Sequence, residues 1–223
     1  MLKLDLHLHT CYSDGDRVSE IVRMAKFKGL NGFAVTDHDT LRGYKAIKSI
    51  DDSLLVLPGL EVETNVAHLL LLGIKECPPR RIWKYEEVIE WARDNNAVVI
   101  MAHPIATFLS IKRNMRLVYK HRPDALETHN SLYPLFSLTK RLSVKMAESL
   151  SLPMSGGSDA HRARDVGNCY TLVDAEPSLD DILESIRKGK IKPEGKPSNM
   201  AYRVEVGFYF IYSLFENICF RKK

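Results

Sequence analysis

The first ten residues show the clearest hydrophobic pattern of the chain. Leucine occupies every even position from 2 to 8, and Lys, Asp, His and His occupy the odd positions from 3 to 9. Because successive side chains of a strand point to opposite faces, this alternation predicts a β-strand over Leu2–Thr10 with one leucine face and one polar face. His7 and His9 then share a face, about 7 Å apart, so that both imidazoles can reach one metal ion.

Similar patterns continue along the chain, where short apolar runs alternate with segments of helical spacing. This alternation predicts an α/β domain with a parallel sheet of about seven strands. The predicted strands are Leu2–Thr10, Gly32–Thr36, Leu54–Leu57, His68–Leu72, Ala97–Ala102, Asp124–Thr128 and Leu152–Ser158. The predicted helices are Val18–Lys28, Leu41–Ile50, Tyr85–Asn95, Leu135–Leu150 and, after a capping box, Ser178–Gly189.

Residue types that bind metals stand at the ends of these predicted strands. A lone histidine there is usually a hydrogen-bonded core residue, and a lone carboxylate is usually a turn or surface residue. Six of the eight histidines lie at strand ends, however, and burying them together without a metal would leave many polar atoms without partners. The candidate metal ligands are His7, His9, Asp14, His38, Glu61, His103, His129, Asp159 and His161.

Composition narrows the class of protein without deciding its function. The 223 residues are 45% hydrophobic and 27% charged, which suits one globular domain with a substantial core. The net charge of +4 mildly favours anionic ligands. No two of the four cysteines have the CxxC spacing of thiolate zinc sites. We therefore interpret them as reduced thiols, which are usual in the cytosol, and expect a cytoplasmic protein. We expect neither a signal peptide nor a transmembrane segment.

Five short motifs follow one another over residues 1 to about 165. They are His7-Leu8-His9-Thr10 with Ser13-Asp14-Gly15, Thr36-Asp37-His38-Asp39, Gly59-Leu60-Glu61, Ala102-His103-Pro104 and Ser158-Asp159-Ala160-His161. In this order and spacing they resemble the motifs of the PHP (polymerase and histidinol phosphatase) domain family. The resemblance implies a distorted (β/α)7 barrel with its metal site at the C-terminal ends of the strands, and an enzyme that hydrolyses phosphate esters.

The resemblance also implies two or three divalent ions and a division of the ligands among them. The implied sets are His7, His9, Glu61 and Asp159 for one ion; Glu61, His103 and His129 for a second; and Asp14, His38 and His161 for a third. Alternation points Glu127 and His129 to the same face of the sixth strand, so Glu127 is the alternative to His129. Mixed imidazole and carboxylate ligands suit manganese, zinc or iron.

We expect the reaction to proceed by attack of a hydroxide that bridges two ions on the phosphorus atom. Glu61, Asp159 and His161 are the predicted catalytic residues. Arg162 and Arg164 directly follow the last motif and are predicted to bind substrate phosphate, although a solvated basic loop explains them equally well.

Three other residues are expected near the site. His68 begins a predicted strand, which is the wrong end for a ligand in a parallel barrel. Relatives often have a histidine in this segment, however, so His68 is predicted to contact substrate. Asp5 and Asp37 are expected to orient imidazole ligands by accepting their second N–H groups.

The substrate is left open. The options are a phosphorylated small molecule, including a histidinol-phosphate-type substrate, and a nucleotide or the 5′ end of a nucleic acid. A basic stretch at residues 112–122 could follow a phosphate backbone, although a solvated loop is the simpler explanation. A non-catalytic scaffold is less consistent with a complete motif set, and no lysine stands at a strand end as in amidohydrolases. No obligate protein partner is evident.

The last residues differ in composition from the rest of the chain. Residues 201–223 are rich in Phe, Tyr, Ile and Leu and end in Arg-Lys-Lys. Charged residues interrupt the apolar run, which therefore does not suit a membrane span. We expect a barrel over residues 1–200 and a hydrophobic extension over 201–223 that packs on the barrel or at an interface.

Overall fold

The computed structural model describes residues 1–79 and 84–207. These residues contain one nine-stranded sheet in the order β7-β6-β5-β4-β3-β2-β1-β8-β9. The strands are β1 Leu2–Asp5, β2 Gly32–Val35, β3 Leu55–Glu63, β4 His68–Leu72, β5 Val98–Met101, β6 Ala125–Asn130, β7 Met154–Gly157, β8 Cys169–Val173 and β9 Ile191–Gly195.

Helices connect most of these strands and cover the outside of the sheet. They are α1 Val18–Phe27, α2 Arg42–Ile50, α3 Tyr85–Asp94, α4 Phe108–Arg113, α5 Met115–Lys120, α6 Phe136–Leu150 and α7 Leu179–Arg187. A 3-10 turn spans Ala163–Asp165, and the described residues from 200 to 207 are helical. Among the described residues, no helix has the length and apolarity needed to cross a bilayer.

The sheet curls until its two sides meet, which confirms the predicted α/β barrel. The backbone N–H of Gly156 in β7 donates to Thr171 Oγ1 in β8 at 2.9 Å, and the Thr171 hydroxyl donates back to the Gly156 carbonyl at 2.8 Å. Beyond this contact, Leu8 pairs with Ala160, so the chain that follows β1 lies beside the chain that follows β7. The barrel is therefore nearly closed at the end where the motif residues lie.

The sheet is mixed, whereas the sequence pattern predicts a parallel sheet. Strand β4 runs antiparallel to both β3 and β5, with Glu63 opposite His68. Strand β8 is antiparallel to β1 and to β9, and both β8 and β9 are absent from the predicted strands. Because β4 is reversed, its first residue lies at the same edge of the barrel as the ends of the parallel strands.

Two strand bounds differ from the predicted ones in ways that affect the site. Strand β1 ends at Asp5, and His7 and His9 lie in the extended chain beyond it. Strand β3 continues through Pro58 to Glu63, so Glu61 lies within a strand, paired with Leu70 of β4. Both candidate ligand segments are therefore held by neighbours on two sides.

Helix α7 closes the barrel at the end opposite the motif residues. Its Ile182, Leu183 and Ile186 pack with residues of seven strands in one buried cluster. The Arg187 side chain donates to the carbonyl of Asn96, which lies just before β5. The parallel strands begin at this end of the barrel. The apolar cluster therefore fills the barrel interior on the side away from the candidate site.

The described part of the C-terminal extension, residues 201–207, packs beside the barrel mouth. The Arg203 guanidinium, which is buried, donates to the carbonyls of Ser198, Tyr133 and Pro134. Residues 208–223, to which most of the predicted hydrophobic extension belongs, lie outside the described residues.

Candidate metal centre

The segment after β1 is held between two neighbouring segments. The Thr36 N–H donates to the Leu8 carbonyl at 3.0 Å, and the Asp159 N–H donates to the His7 carbonyl at 2.7 Å. Leu8 points into the apolar core, while His7 and His9 point the other way and are fully buried. The alternation of leucine and polar residues thus places both imidazoles at the mouth of the barrel, although the regular strand ends before them.

Four of the predicted ligands converge around the Nε2 atom of His7. Glu61 Oε2 is 3.1 Å away, Asp159 Oδ1 is 3.4 Å away and His9 Nε2 is 3.3 Å away. His9 Nε2 in turn lies 3.2 Å from Glu61 Oε2 and 3.5 Å from Asp159 Oδ1. Two imidazole nitrogens and two carboxylate oxygens thus face one point.

The second oxygen of Glu61 belongs to a separate group. Glu61 Oε1 is 2.8 Å from His103 Nε2 and 3.0 Å from His68 Nδ1. His68 reaches it because β4 is antiparallel, and His103 follows the end of β5 with a backbone φ of +24°. A residue with a β-carbon rarely adopts a positive φ, so this conformation costs about 1–3 kcal/mol. One carboxylate therefore joins two imidazole groups, one on each oxygen.

The third group lies at the rim of the mouth. Asp14 Oδ2 is 3.1 Å from His161 Nε2 and 3.8 Å from His38 Nε2, and Asp14 Oδ1 is 3.5 Å from His9 Nδ1. The Asp14 side chain is half exposed. This group is connected to the buried groups through His9, whose two ring nitrogens face different carboxylates.

These three groups fit divalent cations. In each of them, the candidate ligand atoms lie within 4.8 Å of one another. The His9 Nδ1 atom, which faces Asp14, is buried and has no hydrogen-bond partner, and several lone pairs converge on His7 Nε2. A buried polar atom without a partner is costly, and a cation among these atoms would satisfy them. Imidazole with carboxylate is a donor set typical of zinc, manganese and iron sites.

The electrostatics of the buried groups also favours positive charge. Burial lowers the pKa of His7, but Asp159, Glu127 and Glu61 more than compensate and hold it well above its usual value. Burial likewise lowers the pKa of His9, and the bonds to Asp159 and Glu61 outweigh this effect and raise it to about 9. The carboxylates therefore favour protonation of these two rings unless a metal cation replaces the protons.

The structure does not bring His129 into any of these groups. Its Nδ1 lies 2.9 Å from Thr128 Oγ1, and its ring packs against Phe136. Burial, with a smaller effect of Lys140, lowers the pKa of His129 to about 4. The physical reason is a register shift between Glu127 and His129 in the pairing with β7. This irregularity ends the alternation that pointed both side chains the same way. His68 stands beside Glu61 and His103 instead.

Arg162 and Arg164, the predicted substrate-binding residues, follow His161 at the rim. The Arg162 guanidinium donates to both oxygens of Glu205, at 2.9 and 3.1 Å, and lies 3.8 Å above the Tyr202 ring. Arg164 is exposed and lies near Asp165. Arg162 is therefore engaged with the C-terminal helix in this structure.

Asp5 and Asp37 accept hydrogen bonds from the backbone rather than from imidazoles. Asp5 accepts from the N–H groups of Ser158 and Gly167 at 2.8 and 2.7 Å. Asp37 accepts from the Thr10 N–H at 2.7 Å and from the Thr10 and Ser13 hydroxyls. These carboxylates therefore fix the loops that carry the candidate ligands, whereas the sequence suggests that they orient the ligand rings.

The chain is similar in sequence to a family model and to several known proteins. A family model described as PHP-associated matches residues 138–191. An uncharacterized protein of Methanocaldococcus jannaschii is 32% identical over 117 residues, which cover 46% of this chain and 68% of that protein. The phosphoribosyl 1,2-cyclic phosphate 1,2-diphosphodiesterase of Eggerthella lenta is 33% identical over 84 residues, which cover 34% of this chain and 32% of that enzyme.

A solved structure shows the same fold. It is a two-domain protein from Bacteroides vulgatus that contains a predicted PHP-like metal-dependent phosphoesterase. Its TM-score is 0.73 and its sequence identity is 19%, over 87% of this chain and 65% of that one. The chain thus spans about two thirds of that protein and a third of the Eggerthella enzyme.

Proposed function

Because this chain belongs to the PHP family of metal-dependent phosphoesterases, we propose that it hydrolyses a phosphate ester at the three ligand groups of the barrel mouth. Divalent ions held there would supply a water nucleophile at neutral pH and neutralise charge on the phosphate oxygens. The ligands would be His7, His9, Glu61 and Asp159; Glu61, His68 and His103; and His9, Asp14, His38 and His161, with the two ring nitrogens of His9 in different groups.

The two oxygens of Glu61 carry this proposal. One faces His7 and His9 within 3.2 Å, and the other faces His68 and His103 within 3.0 Å. A carboxylate shared in this way suits two neighbouring cations, which is the arrangement that clamps a phosphate ester between them. A single structural ion would need only one of these groups.

The chain's own residues would bind and orient the substrate at the rim. His161 and Asp14 face the solvent side of the mouth. When no ion occupies the rim group, His161 Nε2 is our candidate for the group that protonates the leaving oxygen. Arg164 is exposed beside it and is our candidate for a phosphate contact. Arg162 could contribute only after it leaves Glu205.

A nucleic-acid or nucleotide substrate is the second candidate. Exposed basic residues on helices α4 and α5 follow the His103 turn, and they are Lys112, Arg113, Arg116 and Lys120. The Ala106 N–H in that turn donates to the Tyr133 hydroxyl, which ties the start of this helical segment to the site. A phosphate backbone that enters the mouth could contact these charges.

The first experiment is a substrate panel with manganese-loaded protein and product identification by mass. The panel contains a 5′-phosphorylated oligonucleotide, a nucleoside bisphosphate, a ribose cyclic phosphate and histidinol phosphate. Mononucleotides released from the 5′ end would identify a nuclease, and inorganic phosphate alone would identify a phosphomonoesterase. Absence of hydrolysis of every compound with metal-saturated, folded protein would contradict the proposal.

A further inference from the structure

None of the three groups in the described residues contains a residue of β6, yet β6 places a carboxylate between two of them. Glu127 is 2% exposed. Its Oε1 lies 2.9 Å from His7 Nδ1, and its Oε2 accepts the backbone N–H of His103 at 2.8 Å. One buried side chain therefore contacts a residue of each of the two groups that Glu61 joins.

Asn130, at the end of β6, extends this contact to a third residue. Its Nδ2 donates to Glu127 Oε2 and to Asp159 Oδ2, both at 3.0 Å. Its Oδ1 accepts the Leu132 N–H at 3.0 Å, which fixes the end of the amide that faces the carboxylates. The register shift in β6 allows Glu127 and Asn130 to point into the same network.

The neighbouring strand leaves room for this pair. Gly157 is the last residue of β7, and a β-carbon there would lie 2.4 Å from His7 Cβ and 2.8 Å from Glu127 Oε1. Any other residue at position 157 would therefore push His7 and Glu127 apart. The close approach of these two side chains therefore depends on β6, on β7 and on the segment that follows β1.

We propose that Glu127 is a positioning residue, which fixes His7 and His103 relative to each other and does not bind a metal itself. By accepting the His7 Nδ1–H it directs the Nε2 lone pair toward Glu61 and Asp159. By accepting the His103 N–H it holds the backbone of that residue at its positive φ. This inference rests on the proposed function only in that it takes His7 and His103 as metal ligands.

The test replaces Glu127 by glutamine. Glu127 accepts hydrogen bonds on both oxygens, whereas an amide has one acceptor oxygen and one donor group. In Glu127→Gln an NH2 group must face either His7 or the His103 N–H, so one of the two contacts is lost. Glu148→Gln, an exposed position on α6, is the matched control.

Manganese affinity and stoichiometry are measured by titration, and ¹⁵N spectra of zinc-loaded protein report which His7 nitrogen keeps its proton. We expect Nδ1–H at His7 in the wild type. Glu127→Gln should weaken manganese binding at least about tenfold and shift the Nδ1–H signal, while Glu148→Gln changes neither. Wild-type affinity together with an unchanged His7 signal in Glu127→Gln would overturn the inference and leave the proposed function intact.

A second variant keeps the test decisive if Glu127→Gln does not fold. The methyl group of Gly157→Ala would meet both His7 Cβ and Glu127 Oε1. Because it displaces His7 as well, manganese affinity alone is not informative, and the readout is the His7 Nδ1–H signal, which we expect to shift. An unchanged His7 signal in folded Gly157→Ala would contradict the inference. A wild-type protein that binds no manganese would overturn both this inference and the proposed function.

Discussion

The buried and the rim groups of the candidate metal centre differ in how much water reaches them. His7 and His9 side chains are fully buried and Glu61 is 3% exposed, whereas Asp14 is 50% and His38 is 34% exposed. Two unit charges 4 Å apart interact by about 1 kcal/mol in water and by about 4 kcal/mol near a partly buried protein site. The same ligand types should therefore hold an ion more tightly in the buried groups than at the rim.

The buried groups also cost the protein more free energy than the rim group when no cation is present. The converging carboxylates and imidazoles must be neutralised by protons, and His103 and Asp159 have positive backbone φ angles of 24° and 54°. At the rim, water can solvate the same kinds of group. From this difference we expect an ion held by His7, His9, Glu61 and Asp159 to exchange with the solution more slowly than an ion held at the rim.

Loss of a buried ligand should have the largest effect. His7→Ala and Asp159→Ala should each reduce kcat/KM for phosphate-ester hydrolysis by about a thousandfold, or about 4 kcal/mol, because the remaining ligands cannot neutralise the phosphate oxygens. The check is steady-state kinetics at saturating manganese, with circular dichroism to verify folding. Wild-type kinetics in either folded variant would contradict a catalytic role for the buried groups.

A pair of histidine variants distinguishes His68, which the structure places in a ligand group, from His129, which the sequence predicts as a ligand. His68→Asn should lower hydrolysis about a hundredfold and remove one manganese ion, because Glu61 Oε1 loses one of its two imidazole neighbours. His129→Asn should retain both the activity and the metal content. Metal analysis after gel filtration, together with kinetics, makes the comparison. The reverse pattern would return His129 to the metal site.

Replacement of a rim ligand should give a smaller loss that metal can rescue. Asp14→Asn removes the carboxylate between His38 and His161, and we expect activity to fall about tenfold at low manganese. Since this group is solvated, an excess of manganese should restore most of the activity. A manganese titration of kcat/KM for Asp14→Asn and for His7→Ala makes the comparison. Equal behaviour of the two variants would show that exposure does not separate the groups.

The family and the barrel are predictable from sequence because their signals are local. The alternation from Leu2 to His9 needs no knowledge of neighbouring strands, and it places the His7 and His9 side chains together at the barrel mouth even though β1 ends at Asp5. The same rule does not hold at Glu127 and His129, because a register shift inserts an irregularity into β6. Bulges are set by how two strands pair, and the residues of β6 themselves carry no clear mark of one.

The position of His68 at the barrel mouth could not be predicted from the sequence of β4 alone. It depends on the antiparallel direction of β4, which is set by its pairing with β3 and β5. Only residues 64–67 separate β3 from β4, and a parallel crossover needs at least about ten residues. With β3 recognised to Glu63, the short loop would have indicated a hairpin and placed His68 beside Glu61. The Arg162–Glu205 pair joins positions 43 apart in sequence, and no local pattern connects them.

The smallest expected effect concerns stability outside the metal groups. Burial holds the pKa of His129 at about 4 in the folded chain, against about 6.5 when unfolded. Between these values the unfolded state binds a proton that the folded state does not, so stability falls as the pH drops from about 6.5 toward 4. After allowance for solvent screening, the free energy of unfolding falls by about 1–2 kcal/mol over this range because of His129.

His129→Gln should not show this pH-dependent decrease. Urea unfolding of chelator-treated wild type and variant from pH 7 to 4.5 measures it. Because the two proteins differ only at position 129, the difference between their unfolding curves isolates His129, and parallel curves would show that His129 does not contribute.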